Sequence, residues 1–388
     1  MDRKPAFLAL LLLSLTSACT EPSSAPALPG IAAFGLGAQA TCPAAPDFVV
    51  TTEGDLLAAV AAASPGATIA LDGMIGVTAD LNVSTPNVTL TCASPGSGLF
   101  AQAGGSVLEL LMVSASGVAV DRLVLDGSNA QDPYVALNVD GVRLTNNTVI
   151  CSPASLGGSC SVFSGTPHAV VSGNQFRSAG STTGLHMQLG IDGTRIENNT
   201  VTTTAPSDGP PHFGGLRVRD GANVVISGNT VRGPWANSLA LSDLASSSIE
   251  HNDLGGAVPF GILARSGTSF RPISMTDDVF RNNQISGAGS AGIFLTSACR
   301  NQFVGNDLRG NVGNIAAIFD VSTGANRLLG NRSTVIDNGA FDCDGDGRID
   351  PNIIPTGNVI SGPEMGGAVR SLGSGARSSE PDRGRRLL

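Results

Sequence analysis

The chain predicts an all-β solenoid, a stack of short parallel strands in one elongated domain, and three observations carry that prediction. The first is a phrase that returns along most of the sequence. In Val224-Val225-Ile226-Ser227-Gly228-Asn229-Thr230-Val231 an apolar residue stands three before an asparagine, a small or polar residue just before it, and an apolar residue two after it. The asparagine recurs at Asn147, Asn174, Asn199, Asn229, Asn252, Asn283, Asn306, Asn331 and Asn358, in steps of 27, 25, 30, 23, 31, 23, 25 and 27 residues. Self-similarity at a period of roughly 20–50 residues marks a repeat architecture. The second observation is composition. Among 388 residues there are 50 glycines, with 41% hydrophobic, 4% aromatic and 14% charged residues. That is too apolar for disorder, and glycine mixed with β-branched residues suits short strands and tight turns. The third is the content of one unit, such as Leu216-Arg217-Val218, Val224-Val225-Ile226 and Thr230-Val231. One such unit cannot bury its own apolar face, whereas units stacked about 4.8 Å apart can.

The elements follow in order. Residues 1–19 have a positive start at Arg3 and Lys4, an apolar run from Phe7 to Leu13, and small residues before Cys19. This is a secretory signal, too short to span a membrane. The Ala18-Cys19 junction resembles a bacterial lipobox, which implies that Cys19 is lipidated and that the membrane is touched only through that anchor. Thr20, where an aspartate would favour inner-membrane retention, implies an outer-membrane or cell-surface destination, with a periplasmic or secreted form as the alternative. Residues 20–44, rich in Pro, Ala, Ser and Gly, read as a flexible tether. The fold is expected over residues 45–362. It opens with the strand Phe48-Val49-Val50 and a short helix from Leu56 to Ala63, started by Thr52 and Asp55 and stopped by Pro65-Gly66. This helix is the expected N-terminal cap over a raw sheet edge. The phrase-bearing repeats are expected from about Val107 to about Ile360, with imperfect copies where Ser333 and Pro355 replace an apolar residue. Residues 363–388 lack periodicity and read as a disordered tail.

The repeated asparagine has two structural uses. It tolerates left-handed backbone and so suits a sharp corner, and stacked asparagines form an amide ladder. Neither gives it a catalytic role.

The phrase, the coil length and the helix-capped start resemble the right-handed parallel β-helix superfamily, over about residues 47–362. That superfamily includes pectate-lyase-like enzymes and NosD-type carbohydrate-binding repeat proteins. The resemblance implies a right-handed, single-stranded parallel β-helix. It leaves activity open, since this scaffold hosts lyases, hydrolases, epimerases and proteins without chemistry.

Seven cysteines are present, so six remain if Cys19 carries lipid. An even remainder in an exported chain predicts disulfides whose connectivity the sequence leaves open. Cys151–Cys160 would close a small loop within one coil, Cys42–Cys92 would pin the first strand, and Cys299–Cys343 is left over. The absence of a Cys-x-x-Cys argues against redox or zinc chemistry.

The sharpest local motif is Asp342-Cys343-Asp344-Gly345-Asp346-Gly347-Arg348-Ile349-Asp350. It matches the first nine positions of an EF-hand-type calcium loop. Asp342, Asp344 and Asp346 would ligate Ca2+ at positions 1, 3 and 5, Arg348 through its carbonyl, and Asp350 at position 9. Ile353 stands where the bidentate glutamate would be. The expected role is to rigidify a loop.

The other candidate is a surface row. Leu185-His186-Met187-Gln188, Leu216-Arg217-Val218-Arg219, Leu239-Ala240-Leu241-Ser242, Ile262-Leu263-Ala264-Arg265 and Ile293-Phe294-Leu295-Thr296 align as successive strands. If their first residues face inward, the alternate ones face out. His186 then lies beside Arg217, and Gln188, Arg219, Ser242, Arg265 and Thr296 form a line. Such a row suits an anionic or hydroxyl-rich polymer, hence a polysaccharide partner. His212, Tyr134 and Trp235 are expected on flanking loops, Trp235 as a sugar platform.

The leading reading is polysaccharide binding by a monomer. The rivals are a lyase acting on a uronic-acid polymer through His186, Arg217, Arg219 and Arg265, and a structural or adhesive rod. The net charge of −9 argues against nucleic acid. The only lysine is Lys4, which argues against relatives that use a catalytic lysine. Asp277-Asp278 is the only adjacent acidic pair in the repeats, which disfavours hydrolysis.

Overall fold

The chain winds through three sheets in turn, and most coils add a strand to each. The computed structural model describes residues 41–43, 45–152, 159–180, 183–206, 214–266, 275–311, 315–331 and 334–354. These belong to one unit, Ala40–Leu388. The expected signal, Cys19, most of the tether, His212, Asn358 and the tail lie outside the described residues.

One sheet has 12 strands, from Phe48–Val50 and Thr68–Leu71 through Arg327–Leu329. A second has 9, from Met74–Val77 to Gln284–Ser286. The third, here the lateral sheet, has 14 and includes Thr183–Gln188, Leu216–Ala222, Asn237–Ala245, Phe260–Arg265 and Ala291–Thr296. Neighbouring strands pair in parallel, with like positions in register. The core is therefore built of columns. In the first sheet Ile196, Ile226, Ile249, Phe280, Phe303 and Leu328 stand one above another. All six are buried, and the rings of Phe280 and Phe303 stack at 4.5 Å. Each such side chain contributes about 1.5–3 kcal/mol by leaving water.

The capping helix spans Glu53–Ala62, three residues earlier than its apolar run suggests. The cap explains the shift. Thr52 Oγ1 accepts from the Asp55 main-chain N–H at 3.2 Å and donates to Asp55 Oδ2 at 2.8 Å, which starts the helix directly after Thr52. Leu56 and Ala59 are its buried face. The coils also begin before the phrase does, since Thr68–Leu71 and Thr89–Cys92 already belong to the first sheet. Ser97 occupies the asparagine's place in an early coil, its Oγ accepting from the Gly73 N–H at 3.0 Å.

Of the two uses foreseen for the phrase asparagine, only the ladder falls to it. Asn147, Asn174, Asn199, Asn229, Asn252, Asn283, Asn306 and Asn331 are all buried. Asn199 shows the pattern. Its main-chain N–H and its Nδ2 both donate to Asn229 Oδ1 at 3.0 Å, and Nδ2 also donates to the Val171 carbonyl at 2.8 Å. The left-handed corner belongs to the residue before, at Asn146, Gly173, Asn198, Gly228, His251, Asn282, Gly305 and Gly330. A side chain that must point into the coil needs the turn made ahead of it. Three disulfides join Cys42–Cys92, Cys151–Cys160 and Cys299–Cys343.

Candidate functional site

The lateral sheet turns two rows of side chains outward, and together they form the candidate site. One row runs Gln188, Arg219, Ser242, Arg265 and Thr296. The last four are direct register partners, and Arg219 Nη2 donates to Gln188 Oε1 at 2.6 Å. The other row pairs Val162, His186, Arg217, Ala240, Leu263, Phe294 and Ile318. The expected polar line is thus present, and His186 lies beside Arg217 as foreseen. The second row, however, is apolar apart from His186 and Arg217. Leu263 and Ala240 are buried yet stand apart from the continuous core. Phe294 is half-buried and stacks on Phe260, ring centroids 4.8 Å apart and planes 15° from parallel.

Charge is crowded here. Burial pulls Arg217 down to about 10, helped by Arg219 and Arg265 and opposed by Asp220. Arg265 is likewise lowered by burial and by Arg219, with Asp243 opposing. The three guanidiniums repel one another across the strands. Their counter-charges are two buried aspartates at bends two residues short of the ends of these strands. Asp220 Oδ2 lies 3.4 Å from Arg219 Nε and its side chain is fully buried, while Asp243 is next in the stack. Both take left-handed backbone, at φ 62 and 52. Burial, followed by the charges of Arg217 and Arg219, pushes His186 down to about 3. It is uncharged at neutral pH and, so far below the working range, a weak general base.

Phe260, Phe294, Asp220 and Asp243 are the members that sequence reasoning passed over. A signal existed for each pair. Phe294 stands in an aligned strand, and an aspartate follows directly after both Arg219 and Ser242.

Two expected members are corrected. Trp235 is fully buried and is not a sugar platform. It follows Gly233-Pro234, where the chain crosses into the lateral sheet, and packs inside that crossing, its Cδ1 3.2 Å from where a Cβ on Gly215 would stand. Tyr134 is also fully buried, tilted against Phe163 at 5.1 Å. It precedes its lateral strand as Trp235 does, so both large rings fill the same kind of corner.

The aspartate loop lies beyond the last strands. Carboxylate oxygens of Asp342, Asp344 and Asp350 come within 4.8 Å of one another. Asp346 is not one of this group, and its Oδ1 accepts from the Arg348 N–H at 2.8 Å. Ile353, at position 12, bridges to Arg327 and continues the solenoid rather than offering a ligand. Main-chain N–H groups of Gly347 and Gly345 hold the Asp342 carboxyl below its ordinary range. The Cys299–Cys343 disulfide clamps the loop, and Arg300 Nη1 donates to the Cys343 carbonyl at 3.3 Å. Three carboxylates fit a hard cation, but the expected ligand Asp346 is lost, position 12 offers none, and Arg300 offsets part of the charge.

Residues 137–360 match the family model described as the right handed beta helix region. The chain belongs to the right-handed β-helix family. Among solved structures, this β-helix protein is similar to the Dettilon tailspike protein, with a TM-score of 0.55 and 13% identity over 79% of this chain and 68% of that one. It is also similar to the A-module of the mannuronan C-5 epimerase from Azotobacter vinelandii, with a TM-score of 0.47 and 17% identity over 77% and 90%. A third is DFA-IIIase from Arthrobacter chlorophenolicus, with a TM-score of 0.48 and 14% identity over 79% and 94%. At these identities the likeness is one of fold. No curated protein matches the chain.

Proposed function

We propose that this β-helix protein binds an acidic polysaccharide lying along the solenoid axis on the outward face of its lateral sheet. The observation that carries the reading is the stacked Phe260–Phe294 pair beside the line of Arg219, Ser242 and Arg265. A half-buried aromatic face suits the apolar side of a sugar ring, and crowded guanidiniums favour carboxylate or sulfate groups. Ser242 between the arginines, and Gln188 and Thr296 at either end, offer hydrogen bonds to hydroxyls. Arg219 and Arg265 are two strand spacings apart, roughly 10 Å, so a chain on the axis meets both. The weak basicity of His186 favours binding over elimination. An exported, monomeric protein held to the cell surface through lipid on Cys19 completes the proposal, and the three disulfides support the export.

Affinity electrophoresis in gels containing acidic or neutral polysaccharides tests it. Retardation by an acidic polymer, lost in the Arg219→Ala/Arg265→Ala double variant under conditions where circular dichroism shows it folded, is the expected result, and that variant should melt lower because Asp220 and Asp243 lose their counter-charges. No retardation in any gel would leave the structural rod. Growth of ultraviolet absorbance from unsaturated products on uronic-acid polymers would replace binding with the lyase. For the anchor, Cys19→Ala is expected to move the protein from the membrane to the soluble fraction. We also propose that the aspartate loop takes Ca2+ weakly, through Asp342, Asp344 and Asp350, to stiffen the C-terminal coils.

A further inference from the structure

A second ladder runs along another corner of the solenoid, and one of its rungs is an acid. Ser247, Asp278, Asn301, Asn326 and Asn352 succeed one another there. The Ser247 N–H donates to Asp278 Oδ1 at 2.8 Å, the Asp278 N–H to Asn301 Oδ1 at 2.9 Å, and the Asn301 N–H to Asn326 Oδ1 at 2.9 Å. In the amide rungs Nδ2 makes two further bonds. Asn301 Nδ2 donates to Asn326 Oδ1 at 3.0 Å and to the Met275 carbonyl at 3.2 Å. Asn326 Nδ2 donates to Asn352 Oδ1 and to the Ala298 carbonyl, both at 3.0 Å. Asp278 keeps the same rung geometry, so its Oδ2 stands in the place of that Nδ2, where the partners on offer are oxygens. It is fully buried, and Oδ2 receives no hydrogen bond among the described residues. An ionised carboxylate here would set acceptor against acceptor in a site that excludes water.

We propose that Asp278 is held as a neutral carboxylic acid whose Oδ2 proton completes the rung, and that its ionisation is a pH-sensitive seam between two coils of the solenoid. The surroundings agree. In its own corner the charged neighbour is Asp277, whose carboxylate is half-exposed and paired with Arg300 at 2.8 Å. From the coil before it faces Ser247, and from the coil after, Asn301. Arg300 in turn answers Asp350 and Asp344, so its charge is spent on the outside. Burial, with a smaller push from Asp277, raises the Asp278 carboxyl to about 7, against the main-chain N–H and the hydroxyl of Ser247. The seam lies at the end of the coil that carries Arg265, so ionisation loosens the support of one end of the arginine row. This does not depend on what the row binds.

Asp278→Asn restores the amide found at the other rungs and is the direct test. Thermal melts of the full chain from about pH 5.5 to 8.5 should show the wild type losing stability relative to Asp278→Asn as pH rises, by several degrees at the alkaline end. Infrared spectra near pH 6 should show the carbonyl stretch of a dry, protonated carboxylic acid in the wild type and in Asp277→Asn, but not in Asp278→Asn. Parallel melting profiles, or no such band in the wild type, would overturn the proposal. The band in the wild type and Asp277→Asn decides the matter even if Asp278→Asn fails to fold.

Discussion

Phe294 and Trp235 are both aromatic, both adjoin the lateral sheet, and have opposite fates. Strand alternation made the outward position of Phe294 legible, because Ile293 and Leu295 on either side belong inside. Nothing comparable located Trp235. Its place depends on how Gly233 and Pro234 turn the chain across a corner, a matter of three-dimensional path rather than period. The two predict different phenotypes. Phe294→Ala is expected to weaken glycan binding about fivefold, roughly 1 kcal/mol, and to leave the melting temperature nearly unchanged. Trp235→Ala is expected to cost about 3–5 kcal/mol in urea unfolding and to leave the affinity of the folded protein intact. Asp278 adds a pH dependence whose sign is fixed. Its folded-state value, about 7, lies above the ordinary 3.8, so the folded chain binds the proton more tightly. The stability this confers is complete below 3.8 and is lost as pH rises through about 7, on the order of a few kcal/mol in all.

Among elements, the asparagine ladder was half legible. The phrase announced a repeated amide. It did not say whether that amide or its predecessor makes the corner, because Asn suits both tasks and Gly or Asn often stands in the preceding place. Only the hydrogen bonds separate them. Replacing Asn229 with Ala leaves the Asn199 N–H and Nδ2 without their acceptor and takes the donor from the Ile196 carbonyl. Buried and unsatisfied, these groups should cost at least about 3 kcal/mol in urea unfolding. The aspartate loop was legible as a motif, but its ligand set was not. Position 12 was already ruled out by Ile353 in the sequence, whereas Asp346 turns its Oδ1 to the Arg348 N–H and stands outside the carboxylate cluster. A loop so reduced should bind in the weakest range. Millimolar Ca2+ is expected to raise the melting temperature by about one to a few degrees, an effect reversed by chelator and absent in Asp342→Asn/Asp344→Asn.

For the molecule as a whole, the period and composition were enough to foresee the solenoid. The site was harder, because its members are far apart in sequence. His186 and Arg217 touch across 31 residues, and Arg219 and Ser242 across 23. They align only when each coil's own length is counted. The buried counter-ions Asp220 and Asp243 escaped notice because residues at a bend lie outside the strand alternation that sorts in from out. If the axial reading holds, affinity for an acidic polymer should fall as salt rises, and the slope should shrink in Arg219→Ala/Arg265→Ala. The ladder carries one more consequence. From Asn174 to Asn306 each ladder amide receives the same two donors and offers its hydrogens to the same two kinds of acceptor, whether the step is 23 residues or 31. The joint between coils is therefore standardised while the stretch between joints is free to vary. A whole coil can in this way be inserted, removed or lengthened without redesigning its neighbours.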